Sequence, residues 1–187
     1  MYKFVKRFID IMASLGVLIL FSPIMLVLAI LIFVQDFGNP IFSHFRVGKN
    51  GKEFKFFKFR SMPLNTPNVT SSETGKLKVT PLGKFIRRSN LDELPQLVNI
   101  LIGDMSLIGP RPPIPSQVGL LKLRKDNGAL GLKPGLTGWA QVNSFDGMQE
   151  DKKAEFDGEY ARDISFIKDV QIVLLTLKYL TKKPPTY

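Results

Sequence analysis

Asp92 and Glu93 stand side by side in Leu91-Asp92-Glu93-Leu94-Pro95-Gln96. Adjacent carboxylates can supply a nucleophile and a metal ligand from one turn of backbone, while nearby Lys and Arg neutralise an anionic substrate. The setting suits that chemistry, because 26 Lys and Arg face 16 Asp and Glu, a net charge of +10. Arg87 and Arg88 lie just upstream, and Gly109-Pro110-Arg111-Pro112-Pro113 just downstream. Prolines on both sides hold Arg111 in place, and a fixed guanidinium suits bidentate contact with phosphate. The stretch from Phe54 to Met62 reads either as a basic strand with an apolar face or as a strand delivering Lys58 and Arg60 to phosphate. The acidic pair has a plainer reading too. Asn90 followed three residues later by Glu93 resembles a helix capping box, and first-turn carboxylates suit a helix dipole.

Other chemistries fall away on composition. The chain has no cysteine, which removes disulfides, thiolate metal sites and a Cys nucleophile. It has one histidine, His44, and no Gly-x-Ser-x-Gly elbow, so a Ser-His-Asp triad is excluded. A metal here must be held by oxygen, which favours Mg²⁺ or Mn²⁺. The run Lys133-Pro134-Gly135-Leu136-Thr137-Gly138-Trp139 is neither a Walker loop nor a dinucleotide fingerprint. It reads as a glycine-rich turn entering a short extended segment, with Trp139 as a core or interface anchor.

These residues must be positioned by a chain of 187 residues, enough for one domain plus a membrane element. No charge interrupts Ile11 to Val34, and as a straight helix that run would cover about 36 Å, more than the hydrocarbon core of a bilayer. It is too long for a cleaved signal peptide. Lys3, Lys6 and Arg7 precede it, and Arg46, Lys49, Lys52, Lys55, Lys58 and Arg60 follow it. The plainer reading is a spanning helix kinked at Ser22-Pro23, but basic flanks on both sides favour a return to the cytoplasmic face, with that pair at the midpoint as the break. The expected organisation is a re-entrant membrane helix over 1–36 and a cytosolic catalytic domain over 37–187.

Within that domain, Gly48-Lys49-Asn50-Gly51-Lys52 predicts a hairpin turn, and residues 63–79 a loop or lid. Thr80-Pro81 predicts a helix start. Leu94, Leu97, Val98 and Leu101 predict the buried stripe of the next helix, stopped by Gly103. Ser165 can cap a last helix whose apolar residues Ile172, Val173, Leu175, Leu177 and Leu180 serve core packing or membrane contact. The fold class is α+β, mainly helical, with a short β-hairpin.

In this order and spacing, Lys58-Phe59-Arg60-Ser61-Met62, Leu91-Asp92-Glu93-Leu94-Pro95-Gln96, Gly103-Asp104-Met105-Ser106, Gly109-Pro110-Arg111-Pro112 and Gly138-Trp139-Ala140-Gln141-Val142-Asn143 form one set. The set resembles the bacterial sugar transferases known as monotopic phosphoglycosyl transferases, in their small form with the catalytic domain alone. That resemblance implies transfer of a sugar phosphate from a UDP-sugar to polyprenyl (undecaprenyl) phosphate, releasing UMP, as in the assembly of lipopolysaccharide, capsule and other glycoconjugates. It implies Asp92 as nucleophile through a covalent phosphosugar aspartate, and Glu93 with Asp92 at Mg²⁺. Lys58, Arg60, Arg87 and Arg111, set by Pro110 and Pro112, would neutralise phosphate, with Gln141 and Asn143 also at the substrate. Asp169 matches an acidic position in relatives, which implies support of the site; a helix cap or a surface salt bridge is the alternative. The implied place is the cytoplasmic face of the bacterial inner membrane, against its lipid, with both termini cytoplasmic.

Where many relatives carry Gly-Arg after the Gln-Val-Asn element, this chain has Ser144-Phe145-Asp146-Gly147, so no sugar preference carries over. The resemblance implies no nucleic-acid partner and leaves the oligomeric state open. The competing class is a membrane-anchored basic protein that binds anionic lipid or nucleic acid. It gives Asp92-Glu93 no task.

Overall fold

An apolar run without charge satisfies its backbone most simply as a helix, and in the computed structural model it lies within α1, Tyr2–Asp36. The structure describes residues 2–64, 66, 79–143 and 148–180. All of the expected lid but Pro63, Leu64, Thr66 and Val79 lies outside them, as do Ser144-Phe145-Asp146-Gly147 and the end of the chain after Leu180.

Helix α1 is long and apolar enough to cross a membrane. Its backbone continues through Ser22 and Pro23, so the expected break is not a gap in the helix. The reason is local. Pro23 cannot donate to the Ile19 carbonyl, and the Ser22 hydroxyl donates to that carbonyl instead, at 2.8 Å. Its fully buried residues fall in two groups, Asp10 with Ser14 and Leu28 with Ile32. Near the start, Lys6 pairs with Asp169 at 2.8 Å, Arg7 donates to the carbonyls of Ile100 and Leu101, and the Leu107 amide donates to Asp10. At the far end, Asp36 holds both terminal nitrogens of Arg60. Both ends of one helix are therefore fastened to the same small domain.

Strands β1 (Ile41–Val47) and β2 (Glu53–Phe59) form the expected antiparallel hairpin, turned by Asn50 and Gly51 in the left-handed region. The register sets Phe42, His44 and Arg46 opposite Lys58, Phe56 and Phe54, so all six share one face. Helix α2 (Pro81–Arg88) opens as expected, with Thr80 accepting from the Gly83 amide at 2.9 Å. Helix α3 (Gln96–Ile102) stops at Gly103, where φ is 99°. Its buried side differs from the apolar reading: Val98 is exposed, while Gln96 and Asn99 are buried with Leu97 and Ile100. Asn99 accounts for this, since its side chain donates to the Lys55 carbonyl at 2.7 Å and accepts from the Phe57 amide at 3.1 Å. It occupies the place of a third strand and docks α3 on β2.

The remainder is built around β3 (Ser106–Ile108) and β4 (Gly135–Thr137), a short parallel pair, with α4 (Val118–Asp126), α5 (Trp139–Val142), α6 (Glu150–Arg162) and α7 (Phe166–Leu180). The expected extended segment holds for Gly135–Thr137 only. From Trp139 the chain is helical, with the Val142 amide returning to the Gly138 carbonyl. Trp139 is an anchor: its indole donates to Glu159 at 2.7 Å and the Lys168 ammonium lies 3.3 Å over its ring. Ser165 caps α7 through the Lys168 amide. That helix buries Ile172 in the core, yet leaves Phe166, Ile167, Val173, Leu174 and Leu177 exposed.

Candidate active site

The acidic pair sits in a 3₁₀ turn, Leu91–Glu93, immediately before Pro95 and α3. Leu91 and Leu94 flank it and pack against Leu28, Ile32, Phe59 and Ile86, which fixes the turn from both sides. The capping-box reading fails here. Asn90 adopts φ 55°, in the left-handed region, and makes no side-chain cap bond. Glu93 reaches other elements instead: its Oε1 meets Lys58 Nζ at 2.7 Å and Arg111 Nη2 at 3.2 Å. Lys58 Nζ also lies 3.6 Å from Asp92 Oδ2. One lysine on β2 thus faces both carboxylates.

The two acids have opposite electrostatics. Burial pushes the Asp92 carboxyl above its ordinary value, and the Glu93 charge adds to this against the pull of Lys58, Arg87 and Arg111. Burial acts on Glu93 in the same sense, but Arg111 and Lys58 outweigh it and bring Glu93 down to about 2. Glu93 is a fixed anion matched to two cations. Asp92 is the less stabilised anion and the more basic one, the property a carboxylate nucleophile or base needs.

Arg111 is placed by its backbone. Pro110, Pro112 and Pro113 lack N–H groups, and the carbonyls along this loop are all engaged: Pro110 by the Gly135 amide, Arg111 by Arg124, Pro112 by Arg46 and Pro113 by the Val47 amide. The loop crosses β4 closely, since a Cβ on Gly135 would fall 2.1 Å from the Gly109 nitrogen. With its backbone held, Arg111 keeps a half-exposed side chain beside Glu93. Arg87 is turned inward and donates to Ser61 at 2.8 Å. Arg88 instead lines a groove of about 470 Å³ on the outer face of α2, with Pro81, Lys84, Phe85 and Ser89.

Lys58, Arg87 and Arg111 therefore gather around the pair, and Pro110 and Pro112 set the loop. Arg60 is engaged elsewhere, by Asp36 and by the Asn39 carbonyl. Gln141 donates to the Leu136 carbonyl and Asn143 to the Trp139 carbonyl, bonds that shape the β4–α5 turn. Asp169 is a buried junction, accepting from Tyr2, Lys6 and Tyr160. Arg46 was missed by sequence reasoning. Counted there only as a flanking charge, it lies on the same hairpin face as Lys58 and acts on Arg111 and Glu93 through its charge. The alternation of β1 opposite Lys58 was the signal that could have found it.

Among the described residues no third acid or histidine joins Asp92 and Glu93. Two carboxylates are a small donor set, but Mg²⁺ is commonly held by one or two of them with substrate phosphates and water. The set fits an ion shared with a diphosphate.

The chain matches the family model described as bacterial sugar transferase over residues 1–183. It belongs to that family. Among its relatives, the UDP-glucose:undecaprenyl-phosphate glucose-1-phosphate transferase of Escherichia coli is 38% identical over 184 residues, covering 94% of this chain and 40% of the relative. The undecaprenyl-phosphate galactose phosphotransferase of Salmonella typhimurium is 36% identical over 202 residues, covering 99% and 42%. An uncharacterized sugar transferase, EpsL, of Bacillus subtilis is 36% identical over 174 residues, covering 92% and 85%. The chain spans about two fifths of the length of the first two.

Proposed function

We propose that this bacterial sugar transferase moves a sugar 1-phosphate from a UDP-sugar to polyprenyl phosphate, giving polyprenyl diphosphate sugar and UMP. One observation carries the reading: a buried, basic Asp92 faces Lys58 in a cluster where Lys58, Arg87 and Arg111 outnumber two carboxylates. That surplus of positive charge matches the diphosphate of a nucleotide sugar. The names of the relatives above point the same way.

In this reading an Asp92 oxygen attacks the sugar-bearing phosphorus, forming an acyl phosphate as the bond to the bridging oxygen breaks and UMP leaves with that electron pair. A phosphate oxygen of the polyprenyl phosphate then attacks the same phosphorus, and Asp92 departs as carboxylate. Glu93 keeps Lys58 and Arg111 in place, and these cations oppose the charge that accumulates on the phosphoryl oxygens. Asp92 and Glu93 would hold Mg²⁺ or Mn²⁺ with the diphosphate, and when bound the ion supplies further charge neutralisation. The deciding assay is UMP release from a panel of UDP-sugars, with and without polyprenyl phosphate and divalent ion. Sustained release that needs the lipid phosphate and the ion is expected, with at most one UMP per protein molecule when the lipid phosphate is left out; no release from any UDP-sugar would overturn the reading.

The same proposal places the protein at the cytoplasmic face of the bacterial inner membrane, with α1 entering and leaving on one side. Fastening of both helix ends to one domain supports this, as do the Ser22-Pro23 pair and the basic flanks. The chain has no cysteine, so single Cys residues at Lys3 and Lys49 can be labelled with an impermeant reagent. Labelling of both from the cytoplasmic side alone is expected, and opposite labelling would mean a spanning helix.

A further inference from the structure

His44 and Arg46 are neighbours on the hairpin face that carries Lys58. Arg46 Nε lies 2.6 Å from His44 Nε2. A guanidinium can only donate, so Nε2 is the acceptor and the imidazole proton sits on Nδ1. The neutral ring is kept so by burial and by the charges of Arg46 and Lys58, which bring its pKa down to about 4. Its Nδ1 is buried without a hydrogen-bond partner among the described residues.

Arg46 is held on three sides. Besides His44, its Nη1 reaches the Pro112 carbonyl at 3.3 Å, and its guanidinium carbon lies 5.6 Å over the Phe56 ring. Among the described residues no carboxylate comes within ion-pair distance of it, although Glu93 attracts it and Arg111 repels it. A half-buried guanidinium beside a second arginine, with no acid of its own, is costly for the fold unless a ligand supplies the charge.

We propose that Arg46 is a further phosphate-binding residue of this site, oriented by the neutral His44, and that its guanidinium takes a phosphate oxygen of one of the two substrates. The proposal rests on the sugar-phosphate transfer reading above. Arg46 supplies a fixed fork between β1 and the Arg111 loop, and His44 acts as a positioning residue through Nε2.

The test measures KM separately for the UDP-sugar and for polyprenyl phosphate, alongside thermal unfolding with and without UDP. Arg46→Gln is expected to raise KM for one of the two substrates about tenfold or more, the size of one charge-assisted contact. The substrate affected identifies the source of the phosphate. A rise for the UDP-sugar should be matched by a smaller stabilisation by UDP, whereas a rise for the lipid phosphate should leave that stabilisation intact. Arg46→Lys retains charge and stem, serves if the glutamine variant does not fold, and should show a rise of several fold. His44→Leu should raise the same KM, and His44→Gln, whose amide oxygen can accept from Arg46, should recover most of the loss. Unchanged KM values for both substrates in a folded Arg46 variant would overturn the assignment while leaving the transfer reading intact. Failure of the wild-type chain to release UMP would strike the transfer reading itself.

Discussion

Two groups of charges lie on either side of Arg111, and they are built to different ends. Behind the loop, Arg124 of α4 and Asp157 of α6 form a buried pair at 2.6 Å, both nearly inaccessible. The remaining reach of Arg124 goes to the Arg111 carbonyl at 2.8 Å. That group is closed: one cation, one anion, and a backbone acceptor. In front of the loop, Arg111 and Lys58 converge on Glu93 Oε1, Lys58 also faces Asp92, and Arg46 and Arg87 add charge that the two acids do not match. The front group is open to an incoming anion. A saturated ion pair fixes geometry, whereas an unbalanced one binds.

The comparison breaks first at Asp92. Asp92→Asn should reduce UMP release on the order of a thousandfold or more, since the amide is a poor nucleophile. Its stability should move the other way. Asp92 titrates above its ordinary value in the fold, so its charged form weighs against the native state once pH rises past that pKa. The asparagine variant should therefore melt at or above the wild-type temperature at pH 7, and the gap should close as pH falls and wild-type Asp92 is protonated. In the wild type, activity should be lost on the acid side through this same raised pKa.

Behind the loop the pattern should invert. Asp157→Ala leaves Arg124 buried and unpaired, which costs about 3–5 kcal/mol. Thermal unfolding should show the loss directly, and the surviving folded fraction should retain much of its turnover. A variant that keeps its melting temperature but loses activity would place Asp157 in the front group instead.

The smallest effect sharpens the comparison at Arg111 itself. Arg111→Lys keeps the charge and loses the planar fork, so activity should fall about tenfold, equivalent to about 1.4 kcal/mol. Melting should change little, because the loop is held through its carbonyls. Wild-type kinetics would make the Pro-Arg-Pro loop a structural turn.

The open group was largely legible in the sequence and the closed one was not. Asp92-Glu93, Lys58 and the prolines around Arg111 announce themselves by residue type, and turn residues such as Asn50, Thr80 and Gly103 act within a few positions. Arg124 and Asp157 meet across 33 positions, and Asn99 reaches 44 positions back to Lys55. Neither pairing leaves a local period to read. Arg60 was misplaced for a related reason, since spacing along β2 could not show that Asp36 at the end of α1 would engage it. The helical start at Trp139 was hidden by glycines that read as extended chain.

Asn99 also bears on how the hairpin avoids pairing with a second copy of itself. Strand β2 carries Phe54, Phe56, Phe57 and Phe59 in seven residues, and a two-stranded sheet with an open edge invites another strand to add. The Asn99 amide occupies that edge at Lys55 and Phe57, and on the other strand the Pro113 carbonyl takes the Val47 amide. On β2, a single side chain thereby covers a phenylalanine-rich strand edge. Once folded, two copies cannot pair through that edge without first displacing Asn99.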